Sequence, residues 1–259
     1  MSLCRLPNLI IVGAHKAATT SLHHYLGEHP QAFMSPLKET RFFVADYFRR
    51  LSADYPRREE LLRRVLFTLE EYAAQFKEAG SATVIGEASP QYLYLHDLAI
   101  PGICAVLGDP AIVMVLREPV SRAYSAYRLL LRDGATTASF EEVLAAEPWY
   151  RTEVYPPYFH LTAMGFYAEA VRAYRRQFSR VRVLLYDDLL REPAATLAGL
   201  FTWLGIDPAF VPQLAIHHNA GSPAPPPDPA TVQRLQALYR PDILALQSEL
   251  GLDLRSWLA

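Results

Sequence analysis

Four short apolar runs punctuate the chain: Leu9–Val12, Thr83–Ile85, Ala111–Leu116 and Val181–Tyr186. None alternates apolar with polar residues as a half-exposed strand does, so each reads as a strand covered on both faces. Between them the apolar spacing turns helical. Val120, Tyr124, Tyr127 and Leu131 fall at i, i+4, i+7 and i+11, and Tyr167, Val171, Tyr174 and Phe178 repeat that spacing. Leu197, Leu200, Phe201 and Leu204 follow it approximately. Pro119 suits a first helical turn and Gly134 a helix stop. Thr231–Leu250 reads as a terminal helix with a break near Pro241. Strands separated by helices predict an α/β fold: a single three-layer α/β/α domain over residues 1–259, with a central parallel sheet and right-handed crossovers. Ligands of such sheets bind beyond the carboxyl ends of the strands.

The first strand leads into Gly13-Ala-His-Lys16-Ala-Ala-Thr19-Thr20-Ser21. An apolar run that passes through a glycine and one lysine into a hydroxyl-rich helix start makes a cradle for an anion. Backbone N–H groups at the helix N-terminus favour negative charge, Lys16 adds a mobile cation, and Thr19, Thr20 and Ser21 offer hydroxyl donors. A nucleoside-triphosphate P-loop, G-x-x-x-x-G-K-[ST], needs a hydroxyl directly after its lysine to hold magnesium. Lys16 follows Gly13 by three residues and precedes Ala17, so this loop is P-loop-like without meeting that pattern.

A second anion corner follows the third apolar run. The run ends in Arg117, where a magnesium site would end in an aspartate, and Ser125 lies eight residues on, two turns into the next helix. An arginine there suits a further phosphate group.

Composition narrows the class. The 259 residues can bury a full core, and 51% are hydrophobic, yet no apolar run approaches the roughly 20 residues that span a bilayer. The first strand begins within about eight residues of Met1, which leaves no room for a leader or anchor ahead of it. A formal net charge of −2 argues against a general nucleic-acid binder. Cys4 and Cys104 are far apart, as ordinary thiols of a reducing compartment are, and no His/Cys/Asp cluster points to a metal. Lys16, Lys38 and Lys77 are the only lysines among 25 basic residues. Absent anchor, thiol usage and an arginine- and alanine-rich composition together point to the cytoplasm of a bacterium.

The Lys16 loop resembles the 5′-phosphosulfate loop of sulfotransferases, G-x-x-K-x-G-T-T, with Ala18 at the family's second glycine. These enzymes use 3′-phosphoadenosine 5′-phosphosulfate (PAPS). Arg117 and Ser125 resemble the pair that holds its 3′-phosphate. Ser35-Pro-Leu-Lys38-Glu39-Thr-Arg41-Phe42-Phe43 is similar to a stretch of the carbohydrate (heparan-type) branch, in which a glutamate three residues before two aromatics is the catalytic base; Glu39 holds that place. Gly86-Glu87-Ala88-Ser89-Pro90-Gln91-Tyr92 resembles that branch's G-E-K-[ST]-P-x-Y, with Ala88 where several members carry a lysine. Gly165-Phe-Tyr167 and Tyr186–Pro193 followed by Leu204-Gly205 resemble its later signature. The resemblance implies sulfuryl transfer from PAPS to a hydroxyl or amine of a small-molecule or glycan acceptor. Lys16 stabilises the leaving phosphate, residues 17–21 (Ala17, Ala18, Thr19, Thr20, Ser21) hold it, and Glu39 takes the acceptor's proton.

Other readings stay open at this level. His15, His160, His217 and His218 are rival bases, since an unperturbed imidazole titrates near 6.5. Glu39 also reads as a surface carboxylate paired with Lys38 or Arg41. A nucleotide kinase would need magnesium, and a nucleotide sensor would keep the cradle without catalysis, with Ala18 and Ala88 in its favour. Trp149–His160 reads as either a wall over the substrate or a packed surface excursion. Loop 217–229, with Ser222–Pro229 as a stiff proline-rich piece, has no lysine or arginine, which weighs against a heavily sulfated polysaccharide acceptor. Arg49, Arg50, Arg57, Arg58, Arg63 and Arg64 read as the solvated face of an amphipathic helix.

Overall fold

A computed structural model describes residues 5–214 and 222–258. Its centre is a five-stranded sheet in the order β2-β3-β1-β4-β5, formed by β1 Leu9–Gly13, β2 Ala32–Met34, β3 Val84–Ala88, β4 Ala111–Leu116 and β5 Val181–Leu185. Every strand pair is parallel. All residues of β1, β3 and β4 are buried, which requires helices over both sheet faces. The three-layer architecture expected from the apolar runs is therefore the one observed.

The helical stripes lie where their spacing puts them. Helix Pro119–Arg132 carries Pro119 in its first turn and buries Val120 and Tyr127. Tyr167, Val171, Tyr174 and Phe178 are all buried along and beside helix Ala168–Gln177, as are Leu197, Leu200, Phe201 and Leu204 of helix Pro193–Leu204. Gly134 has φ +64 just past the Pro119–Arg132 helix, as a helix stop requires.

Four expectations need correction. At the sheet edge, β5 stops at Leu185, exposes Arg182 and buries only Leu184, so this run is not covered on both faces. The third strand in the sheet does not stop at Ile85 but runs through Gly86 and Glu87 to Ala88. Gly86 is there for packing, because a Cβ would approach Met34 Sδ to 2.8 Å. Helix Pro229–Leu250 continues through Pro241 without a break, since Tyr239, Ile243 and Leu246 bury the same face on either side of it. The arginine-rich stretch forms two short helices, Ala45–Arg49 and Arg58–Leu62, and pairs Arg49, Arg57 and Arg58 with Asp46, Glu60 and Glu59.

Strand order reverses direction across β1: the chain builds β2 and β3 on one side, then crosses to β4 and β5 on the other. The carboxyl ends of β1, β3 and β4 consequently deliver the Lys16 loop, the Glu87–Tyr92 segment and Arg117 to one edge of the sheet, at the switch point where open α/β sheets bind ligands.

Candidate active site

Gly13 still belongs to β1, and a Cβ on it would meet Leu93 Cβ at 2.5 Å, so only glycine lets the strand pass under the Gln91–Tyr94 helix. The loop then turns tightly: Ala14 N–H donates to Val115 O at 2.7 Å and Ala17 N–H to Ala14 O at 3.2 Å. Lys16 and Ala18 both take left-handed backbone angles, φ 66 and φ 65. The family's glycine at position 18 matches that conformation, and Ala18 adopts it at a steric cost of roughly 1 kcal/mol.

Helix Thr19–Glu28 starts with Ala18 as its N-cap, without a side-chain cap and without an acidic residue in its first turn. Its positive end is thus left for an outside anion. The helix after β4 is different: Glu118 accepts from the amides of Val120 at 2.8 Å and Ser121 at 2.6 Å and so satisfies its own start. Thr19 is buried, and Thr20 and Ser21 are half-buried at the helix start.

Burial lowers the pKa of Lys16 to about 8, and the positive fields of Arg132, Arg117 and Arg128 add to that fall against the opposing pull of Asp133. Three arginines against one aspartate leave positive charge in excess around it, the condition an anionic ligand relieves. Arg117 closes the arrangement. Its Nη1 donates to Lys16 O at 3.1 Å, and its guanidinium stacks 4.4 Å from the centre of the Tyr186 ring. Tyr167 Oη donates to Arg117 O at 3.0 Å and steadies the strand end. Ser125 is half-buried on the second turn of helix Pro119–Arg132. On that helix, Arg128 Nε donates to Ser222 O at 2.7 Å and Tyr124 Oη to Ala224 O at 3.0 Å, which pins the start of the proline-rich segment beside it.

Glu39 is half-buried and pairs with both neighbours that the bland reading named. Its Oε2 accepts from Arg41 Nη2 at 2.7 Å and from Gln91 Nε2 at 2.6 Å, while Lys38 Nζ lies 3.4 Å from Oε1. Burial alone would raise its pKa; Lys38, Arg41 and the Gln91 hydrogen bond overcome that and hold the carboxyl well below the usual carboxylate range. Two strong donors thus occupy Oε2, and Oε1 is the less committed oxygen. Gln91 carries no charge and is 52 positions away in sequence, so no local pattern announces it.

Two of the rival histidines are buried and held neutral. His15 is buried and its pKa falls to about 3, first through burial and then through the charge of Lys16. Burial likewise takes His160 down to about 4, where its Nδ1 lies 3.2 Å from Tyr94 Oη. His217, His218 and Cys4, and residues 217–221 of the proline-rich loop, lie outside the described residues. Within Trp149–His160 the aromatic rings pack on one another, Trp149 on Tyr155 at 5.0 Å and Tyr150 on Phe159 at 4.7 Å between ring centres, while Trp149 itself is exposed. Ala88, at the position of the branch's lysine, is fully buried at the end of β3.

Comparison with known proteins identifies the family and the fold. The model of the sulfotransferase family matches residues 7–210, and the chain belongs to that family. A sulfotransferase crystal structure from Alicyclobacillus acidocaldarius superposes with a TM-score of 0.88 at 31% identity, covering 98% of this chain and 100% of that one. The membrane-associated sulfotransferase kil1 of Dictyostelium discoideum is 31% identical over 133 residues, 50% of this chain and 24% of that protein. The human bifunctional heparan sulfate N-deacetylase/N-sulfotransferase 3 is 26% identical over 212 residues, 80% of this chain and 23% of that protein. The chain thus spans about a quarter of the length of these curated relatives. Within that family it carries the carbohydrate-type sequence features described above. No described helix is long and apolar enough to cross a membrane.

Proposed function

We propose that this sulfotransferase draws its sulfuryl group from PAPS and passes it to a hydroxyl or amine of a small-molecule or glycan acceptor. The observation that carries the reading is the 3.1 Å bond from Arg117 Nη1 to Lys16 O, which ties two anion-holding corners into one site. The uncapped helix start and the depressed Lys16 fit a 5′-phosphosulfate, and Arg117 with Ser125 fits a 3′-phosphate. Such a donor supplies sulfur already bonded to a stable leaving phosphate.

In this reading Lys16, with the amides of residues 18–21, neutralises charge on the 5′-phosphate oxygen as its bond to sulfur breaks, while the Ala17 amide is spent on Ala14 O within the loop. Glu39 Oε1 takes the proton of the acceptor as the new bond to sulfur forms, so charge and protons balance. Its low pKa makes Glu39 a weak base, and proximity has to supply what basicity does not. Arg41 and Gln91 fix Oε2 and so orient Oε1. The cytoplasm is the compartment this reading favours, on cysteine usage.

Transfer of labelled sulfate from PAPS to a panel of sugars, phenols and amines tests the proposal. Label in any acceptor supports it. Calorimetric binding of Mg-ATP in preference to the desulfated product, 3′-phosphoadenosine 5′-phosphate (PAP), contradicts it and favours a kinase.

A further inference from the structure

Glu87 is completely buried at the carboxyl end of β3, and four hydroxyls converge on it. Thr40 Oγ1 and Ser89 Oγ donate to Oε2 at 3.0 and 2.8 Å, and Tyr92 Oη and Tyr72 Oη donate to Oε1 at 2.9 and 3.5 Å. An ionised carboxylate is the one side chain with about four acceptor sites and no donor, so it alone takes all four. Burial pushes its pKa up to about 7, against the pull of these hydroxyls.

Three of the hydroxyls do a second thing. Ser89 Oγ accepts from the amide of Arg41 at 3.2 Å, Thr40 Oγ1 from that of Phe42 at 3.5 Å, and Tyr92 Oη from that of Phe43 at 3.4 Å. Each is a relay in which a carboxylate polarises a hydroxyl that in turn accepts a backbone N–H. Three successive amides are thereby templated from one buried charge, at the turn where Arg41 takes φ 55. That turn aims Arg41 at Glu39, and the segment holding Ser89 and Tyr92 also holds Gln91, the other donor to Glu39.

We propose that Glu87 is a positioning residue for sulfuryl transfer: through Thr40, Ser89 and Tyr92 it sets the 39–43 turn against the 89–92 segment and so fixes the Glu39 carboxylate over the site. Glu87 itself is sealed from substrate and acts only through Glu39. The inference rests on the proposed role of Glu39.

Glu87→Gln preserves shape but leaves one acceptor oxygen for four donors. We expect kcat to fall at least about tenfold while KM for PAPS and Kd for PAP stay within about twofold. In a Glu39→Gln background the same change should cost no further turnover, because a group that acts through Glu39 has nothing left to position. If Glu87→Gln does not fold, Thr40→Val and Ser89→Ala each remove one relay and take the same readouts, with the same split between kcat and KM expected. Wild-type kcat in these variants, or penalties that multiply in the Glu39→Gln background, overturn the inference. A Glu39→Gln enzyme with unimpaired turnover overturns the base assignment as well; an impaired Glu39→Gln beside an unimpaired Glu87→Gln overturns the positioning role alone.

Discussion

Arg117 Nη1 donates to the carbonyl oxygen of Lys16 at 3.1 Å, across 101 positions of sequence. The bond joins the loop after β1 to the end of β4, strands that lie side by side in the sheet. Because the acceptor is a backbone carbonyl, the bond neutralises neither side chain's charge while it fixes the spacing between the two corners. The stack of Arg117 on Tyr186 holds the guanidinium plane, an orientation a lysine could not reproduce.

The state of Lys16 gives a pH dependence with a definite sign. Its pKa in the free protein is lowered to about 8, and a bound phosphate favours the protonated form, so binding raises that pKa. PAP affinity should be steady below pH 8 and fall above it, by up to about tenfold per pH unit while one proton is linked. Calorimetry across pH 7–10 checks this, and Lys16→Ala should flatten the alkaline fall. The same variant should lower kcat by roughly 10² or more, the usual loss when a donor to developing charge is removed.

Ala18 occupies a conformation that glycine adopts without strain. Ala18→Gly should therefore stabilise the fold by up to about 1 kcal/mol and raise Tm by a few degrees, the gain being reduced by the greater freedom of glycine in the unfolded chain. Thermal unfolding followed by circular dichroism measures it. A lower Tm would mean that the turn is not held in the left-handed region in solution.

Glu39 separates binding from chemistry. Glu39→Gln keeps an acceptor for Arg41 but cannot take a proton, so PAP affinity should change by less than about threefold while turnover drops by roughly 10². Parallel calorimetry and rate measurements decide the matter. Normal turnover in this variant would transfer the role of base to another group.

Much of this was legible in the chain because the physics is local. Apolar runs mark four of the five strands, three of them buried on both faces and β5 partly exposed at the edge, and the helices after β1 and β4 announce themselves by hydroxyls, a proline and helical spacing. β2 escapes because three residues, Ala32–Met34, carry no periodicity. The end of β3 escapes because Gly86 and Glu87 look like loop residues; the strand tolerates them only because Met34 crowds one and four hydroxyls satisfy the other. The site divides along the same line. Lys16, Glu39 and Arg117 stand out as charges at element ends, whereas Gln91 gains its meaning from a contact with Glu39 that only the folded sheet creates.

The most direct test of the two-cornered site is equilibrium binding of PAP set against adenosine 5′-phosphate, in the wild-type protein and in Arg117→Ala. With Arg117 on the 3′-phosphate, PAP should bind the wild type at least about tenfold more tightly, and Arg117→Ala should erase most of that margin while leaving adenosine 5′-phosphate little changed. Equal affinity for the two nucleotides in the wild type, or a margin that survives the loss of Arg117, would contradict the account.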